Sequence, residues 1–243
     1  MKHPQQRQTL ILQLADRASQ LELPLSETQV SRMVDHLLAV LDANKHVNLT
    51  AITDPVEALD LHVVDSLLGV EALESALPGR AVDIGTGAGF PGLPLSIATG
   101  REFVLLEATR KKAGLVRGFA EKSGAPVRVA AVRAEELALE EAASFSAVTA
   151  RAVAPLVSLL ELASPLLAPG GRLLAYKAKP DDAEVEAALR AEESTGMGLL
   201  GVERKSIPSA GGPRSIYVFA RSKEAPAIRL PRRPGRAQRK PLG

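Results

Sequence analysis

Apolar positions recur at helical spacing near the start of the chain. Leu10, Ile11, Leu14, Ala18 and Leu21 fall on one face of a helix over residues 5–22, and Val30, Met33, Val34, Leu37, Leu38 and Leu41 do so over 26–42. Pro24 keeps the first helix from running into the second, and Ser26 with Gln29 has the spacing of a capping box. NKHVNLTAIT reads as a polar loop. Asp54, Pro55 and Glu57 then mark a new helix start, predicted to run to about Leu68, and LPGR at 77–80 closes the helical region. Beyond it the period changes. The short apolar runs AVDI, FVLLE, VRVAAV, FSAVTA and GRLLAYK are separated by helix-like segments, including one from Pro155, and this alternation predicts a parallel α/β sheet. LLGVERKSI and RSIYVFAR, joined by PSAGGP, read as an antiparallel pair at the sheet's edge.

Three parts follow: a helical extension over 1–78 packed on the core, a Rossmann-like core over 79–220, and a basic tail over 221–243. The 243 residues are 46% hydrophobic, enough for a sizeable core. With no cysteine and four histidines, disulfides, thiolate zinc sites and thiol nucleophiles are excluded and no metal is expected. No run approaches roughly 18 apolar residues, and the opening MKHPQQRQ lacks a signal-peptide pattern, so no membrane partner and a cytoplasmic location are expected. The net charge of +2 hides an asymmetry. The tail carries eight Lys/Arg against one acid, which leaves the body at −5 and the tail at +7. With four Pro and two Gly it is expected to be extended and mobile, its Arg232 and Arg233 free to meet RNA phosphates. A merely solubilising terminus has the same composition.

The candidate chemistry centres on Asp83-Ile84-Gly85-Thr86-Gly87-Ala88-Gly89-Phe90-Pro91-Gly92, an apolar strand running through glycines into a helix. Such a turn lets a ligand approach the backbone and meet free N–H groups. Its G-x-G-x-G spacing, with Phe90 after the third glycine, departs from the dinucleotide G-x-G-x-x-G. Glu107, 22 positions after Gly85 at the end of FVLLE, is placed to accept from both hydroxyls of an adenosine ribose. That suits NAD and S-adenosylmethionine alike. Asp83 tilts the choice to S-adenosylmethionine, because an acid there repels a pyrophosphate and favours a sulfonium or an amino group. Ala134 and Glu135, after VRVAAV, are candidates for the adenine edge, although Glu135 equally fits a helix N-terminal acid. Arg151 closes the fourth strand where such sheets bind ligands.

The motifs NLTAI (48–52), HVVDSL (62–67), VDIGTGAGFPGLPL (82–95), RAEE (133–136), ARA (150–152), YK (176–177) and GPRSIYV (212–218) occur in order. Over about residues 26–220 the chain resembles the RsmG (GidB) family of bacterial ribosomal RNA methyltransferases, which methylate guanine N7 in 16S rRNA of the small subunit. The resemblance implies a Rossmann-like methyltransferase sheet, S-adenosylmethionine as cofactor, and a cofactor site lined by Gly85, Gly87, Phe90, Glu107, Ala134, Glu135 and Arg151. Asp83, Thr86, Gly89, Ala108 and Thr109 are expected beside them. The tail is not part of the family pattern.

Guanine N7 carries a lone pair and no proton, so in-line attack on the methyl needs no general base, and none is nominated. Proximity of that kind lowers a barrier by roughly 7–11 kcal/mol at best. The Asn/Asp-Pro-Pro-Tyr/Phe motif of exocyclic-amine methyltransferases is absent from the sequence. Arg151, Lys177 and Arg214 are the positioning candidates for base and phosphate. Arg110, Lys111, Lys112 and Arg117 form a basic helix that either faces RNA or is simply solvated. Tyr176 reads as core. His62 and Asp65, three apart on one predicted helix, read as a hydrogen-bonded pair orienting the Asn48-Leu49-Thr50 loop. A nucleic-acid binder without chemistry and an NAD-dependent oxidoreductase are the alternatives.

Overall fold

The alternation of the apolar runs builds a seven-stranded sheet with two covered faces. In the computed structural model, which describes residues 4–178, 181–207, 213–222 and 226–242, the strands are β1 (Ala81–Ile84), β2 (Phe103–Leu106), β3 (Val127–Ala130), β4 (Phe145–Arg151), β5 (Leu167–Lys177), β6 (Met197–Ser206) and β7 (Pro213–Arg221). Their spatial order is β3-β2-β1-β4-β5-β7-β6. β1 to β5 pair in parallel, while β7 runs antiparallel to both β5 and β6. The antiparallel pair is as the sequence predicts. The reversed strand, however, is inserted next to β5, and β6 forms the edge. Residues 208–212 of the joining PSAGGP lie outside the described residues.

Period-2 alternation divides the sheet's side chains. Ala81, Phe103, Leu105, Ala147, Leu174 and Ile216 face one way, into a core shared with α1 (Pro4–Gln20) and α2 (Glu27–Asn44), so the N-terminal helices and the sheet bury one continuous apolar cluster. Val82, Val104, Val148, Leu173 and Phe219 face the other way. The capping box at Ser26 forms, and the Gln29 side chain also donates to the carbonyls of Ile97 and Ala98 at 2.8 and 2.9 Å. One side chain thereby starts α2 and ties it to the end of α6 (Gly92–Thr99), the helix that follows the glycine turn.

Asp54 caps the next helix as predicted, accepting from the N–H groups of Val56 and Glu57. The run to Leu67 is not uniform. α3 (Pro55–Ala58) passes into a π-helical turn (Leu59–Val64) and then α4 (Asp65–Leu67), followed by α5 (Val70–Glu74). The remaining helices are α7 (Arg110–Ser123), α8 (Ala134–Glu140), α9 (Leu156–Ala163), α10 (Asp182–Arg190), α11 (Glu192–Thr195) and α12 (Arg236–Arg239).

The described part of the tail corrects the expectation of a free arm. Arg232 is ion-paired with the buried Glu161, and Ala237 is buried in the sheet's second core. The composition is that of a mobile segment, but a buried acid on α9 needs a cation, and a small residue fits where Ala237 lands.

Candidate active site

The glycine turn is built from beneath. Gly92 lets α6 start close against the sheet, since a Cβ there would lie 2.7 Å from that of Asp83 and 2.5 Å from a Leu105 methyl. Asp83 is fully buried; it accepts from Thr149 Oγ1 at 2.7 Å and from the Gly92 N–H at 3.1 Å. Burial pushes its carboxyl up to about 6, against the opposing pull of those hydrogen bonds and of Arg151. This corrects the expectation that Asp83 faces the cofactor's sulfonium or amino group. Both its oxygens are engaged in holding the turn. Above it, His36 Nε2 donates to the Ala88 carbonyl at 2.9 Å, and burial lowers the pKa of His36 to about 4.

Gly85 and Gly87 have φ of +65° and +61°, a region costly for other residues. The space over Gly87 is open: a Cβ added there would have only the Gly85 carbonyl near it, at 4.0 Å. It opens to a cleft of about 570 Å³ at the carboxyl ends of β1, β4 and β5, within the range of small-molecule sites. Phe90 lines it, its ring stacked on His62 at 5.0 Å between centroids and 5.6 Å from the Arg151 guanidinium carbon.

The opposite wall comes from the π-helical turn. Arg151 Nη1 donates to the carbonyls of Leu61 and His62 at 3.2 and 3.4 Å and to Asp65 Oδ2 at 2.7 Å. Arg214, on β7, reaches the other oxygen of Asp65 at 3.1 Å. Ala152, directly after Arg151, has φ +57°. Lys177 Nζ is held by Glu184 at 2.5 Å and the Ala154 carbonyl at 3.0 Å. Tyr176 is buried, as predicted, and donates to the Ser66 carbonyl at 2.9 Å.

His62 and Asp65 do not form the expected pair. The π turn separates them: His62 Nε2 meets Thr50 Oγ1 at 2.8 Å while Asp65 turns to the two arginines. His62 does orient the loop, and Asn44 Oδ1 accepts from the N–H groups of Leu49 and Thr50. Burial, with Arg151 and His36 nearby, lowers the pKa of His62 to about 4.

A protein-family model, "GidB: rRNA small subunit methyltransferase G", matches residues 29–216. The chain belongs to this family. It is 40% identical over 224 residues to the ribosomal RNA small subunit methyltransferase G of Chloroflexus aggregans, covering 90% of this chain and 93% of that one. The corresponding protein of Synechococcus sp. (strain JA-3-3Ab) is 37% identical over 227 residues, 90% of this chain and 87% of its own. Among solved structures, the O-methyltransferase from Bacillus cereus in complex with SAH shares the fold, with a TM-score of 0.56 at 17% identity over 89% of this chain and all of that one.

The residues expected at the site fall into two groups. Gly85, Thr86, Gly87, Phe90, Arg151, Lys177 and Arg214 meet in the cleft. Gly89 is buried behind it, against His36. Glu107, Ala108 and Thr109 follow β2, the Glu107 carboxylate accepting from the Thr109 N–H at 2.7 Å, and Ala134 with Glu135 begins α8 beyond β3. These five do not line the cleft itself; they continue the strand-end edge on its other side. Arg110 and Lys111 are exposed in the first turn of α7, Lys112 is half-buried, and Arg117 donates to the Val129 carbonyl at 3.4 Å. The residues that sequence reasoning missed are the ones that hold others: Glu184 under Lys177, and Asn44 under the Thr50 loop.

Proposed function

We propose that this chain, a member of a small-subunit rRNA methyltransferase family that uses S-adenosylmethionine, transfers the methyl group to N7 of a guanosine in 16S rRNA by in-line displacement without a general base. Bound there, the cofactor supplies an electrophilic methyl on a sulfonium. The residues fit it: the backbone over Gly87 is bare, and the edge beyond carries Glu107 for a ribose and Ala134 with Glu135 for adenine.

The observation that carries the N7 reading is the state of the groups around the cleft. His62 has a pKa of about 4 and its Nε2 already engaged, so it is a poor proton acceptor near neutral pH. Asp65 is shared by two guanidinium groups. What the cleft offers instead is the surplus positive charge of Arg151 and Arg214, two guanidinium groups on one carboxylate, beside the Glu184-paired Lys177, to hold a base and its phosphates. An acceptor nitrogen without a proton suits such a site. Arg110, Lys111, Lys112, Arg117 and Arg233 extend the basic surface for RNA, whereas Arg232 is committed to Glu161. The reaction belongs in the cytoplasm with the small subunit. No helix among the described residues is long and apolar enough to cross a membrane.

The test is transfer of labelled methyl from S-adenosylmethionine to naked 16S rRNA and to 30S particles from cells lacking this protein, with the product nucleoside identified. 7-Methylguanosine at one position is the expected result. Label on another atom, or none in either substrate, overturns the N7 reading.

A further inference from the structure

All eight residues of α9 are buried, and Glu161 among them is 2% exposed. Its partner comes from the tail: Arg232 Nε donates to Oε1 at 2.5 Å, and Nη2 reaches Oε2. One turn earlier, Ser158 Oγ donates to the Ala237 carbonyl at 2.9 Å, and the Ala237 side chain, 1% exposed, is buried in the core with α9. Ser158 and Glu161, three apart on one helix face, therefore seat the tail as a strap. The strap then reaches past α9. The Gly235 N–H donates to Glu135 Oε1 at 2.7 Å, from a glycine at φ +74°.

We infer that this strap is a working part of the cofactor site: by fixing the Glu135 carboxylate through the Gly235 N–H, it sets how tightly the adenosine end is held. The inference rests on the reading of Glu135 as an adenine contact. Glu135 is buried, and among the described residues its Oε2 has no donor, so one oxygen is anchored and the other is left for a ligand's amino group. A carboxylate on a flexible stem loses side-chain freedom when it binds, and an N–H donor that has already restricted it lowers that cost. Gly235 is thus a positioning residue, one step removed from the ligand.

The test uses the full chain and titration calorimetry with S-adenosylhomocysteine. Glycolate in place of Gly235, introduced as a backbone ester by joining a synthetic C-terminal segment to the rest of the chain, removes the N–H without the change of φ that proline would impose at +74°. The ester is measured with and without Glu135→Ala. A lost hydrogen bond to a charged group predicts about tenfold weaker binding for the ester, with kcat at saturating cofactor retained. The all-amide chain joined in the same way is expected to bind with the parent affinity. In the Glu135→Ala background, the ester is expected to cost nothing more, because the two act through one contact. Should Glu135→Ala bind normally, the adenine reading fails and takes the inference with it. If Glu135→Ala weakens binding while the ester does not, or if their effects simply add, only the role of the strap is overturned.

Discussion

Asp65 Oδ2 lies 2.7 Å from Arg151 Nη1, while its other oxygen is 3.1 Å from Arg214 Nε, so one carboxylate aligns two guanidinium groups from different strands. Asp65→Asn keeps the shape and removes the charge. A misplacement of about 1 Å at a reacting centre costs about 100-fold in rate, and methyl transfer by Asp65→Asn is expected to fall by that order. Breaking a buried pair also destabilises, by about 3 kcal/mol at most here. Activity within threefold of the parent chain would count against the shared-carboxylate role.

The glycine turn and the acid after β2 make separate predictions. Gly87→Arg places a side chain in open space over the turn, at a backbone φ of +61°. Glu107→Ala removes the ribose acceptor without touching the core. Both are expected to weaken or abolish S-adenosylmethionine binding in calorimetry while leaving the circular dichroism spectrum native. Unchanged affinity in both would refute the placement of the cofactor.

Stability is expected to rise with pH between about 4 and 6. His36 and His62 are held near 4 against an ordinary 6.5, so between those values the unfolded chain binds protons that the native one does not, and stability grows as pH rises. Asp83 acts oppositely. Raised to about 6 from 3.8, it keeps a proton that the unfolded chain has lost, and stability falls as pH rises through that window. Two groups against one leave a net rise in stability with pH across that window. Urea midpoints from pH 4 to 6.5 check it, and His36→Phe should flatten the curve.

The first turn of α7 carries Arg110, Lys111 and Lys112 and no acid, the reverse of what the helix dipole favours. A phosphate backbone crossing there relieves the conflict. Replacing Arg110 and Lys111 with Gln is expected to weaken RNA binding and to reduce the slope of log affinity against log salt by about 1.4, at about 0.7 per single-strand phosphate. Cofactor affinity should be unchanged. An unaltered salt slope would leave α7 a solvated helix.

Much of the architecture was legible in the sequence because it rests on local periodicity. The switch from helical spacing to short apolar runs marks the parallel strands, and the Ser26 and Asp54 caps lie where residue chemistry places them. The cleft was legible where strand ends and glycines announce it. Asp83 misled because an acid at a strand end looks ligand-facing, and only the approach of α6 at Gly92 reveals that both its oxygens are used internally. His62 and Asp65 misled because a spacing of three means one face only in a regular α-helix, and the π turn between Leu59 and Val64 separates them. The tail misled because Pro, Gly and Arg describe its composition and not its partner. The available signal was Glu161, an acid with no evident purpose inside an otherwise apolar helix.

The glycine turn is clamped on three sides: by Asp83 on the Gly92 N–H, by Thr149 on Asp83, and by His36 on the Ala88 carbonyl. Its shape is therefore set before any ligand arrives. Little backbone entropy remains to be lost there on binding, so the preorganised turn should contribute to affinity chiefly through the rate of departure rather than the rate of encounter. Loosening any one clamp would make the same turn into a loop that must be ordered anew with every turnover.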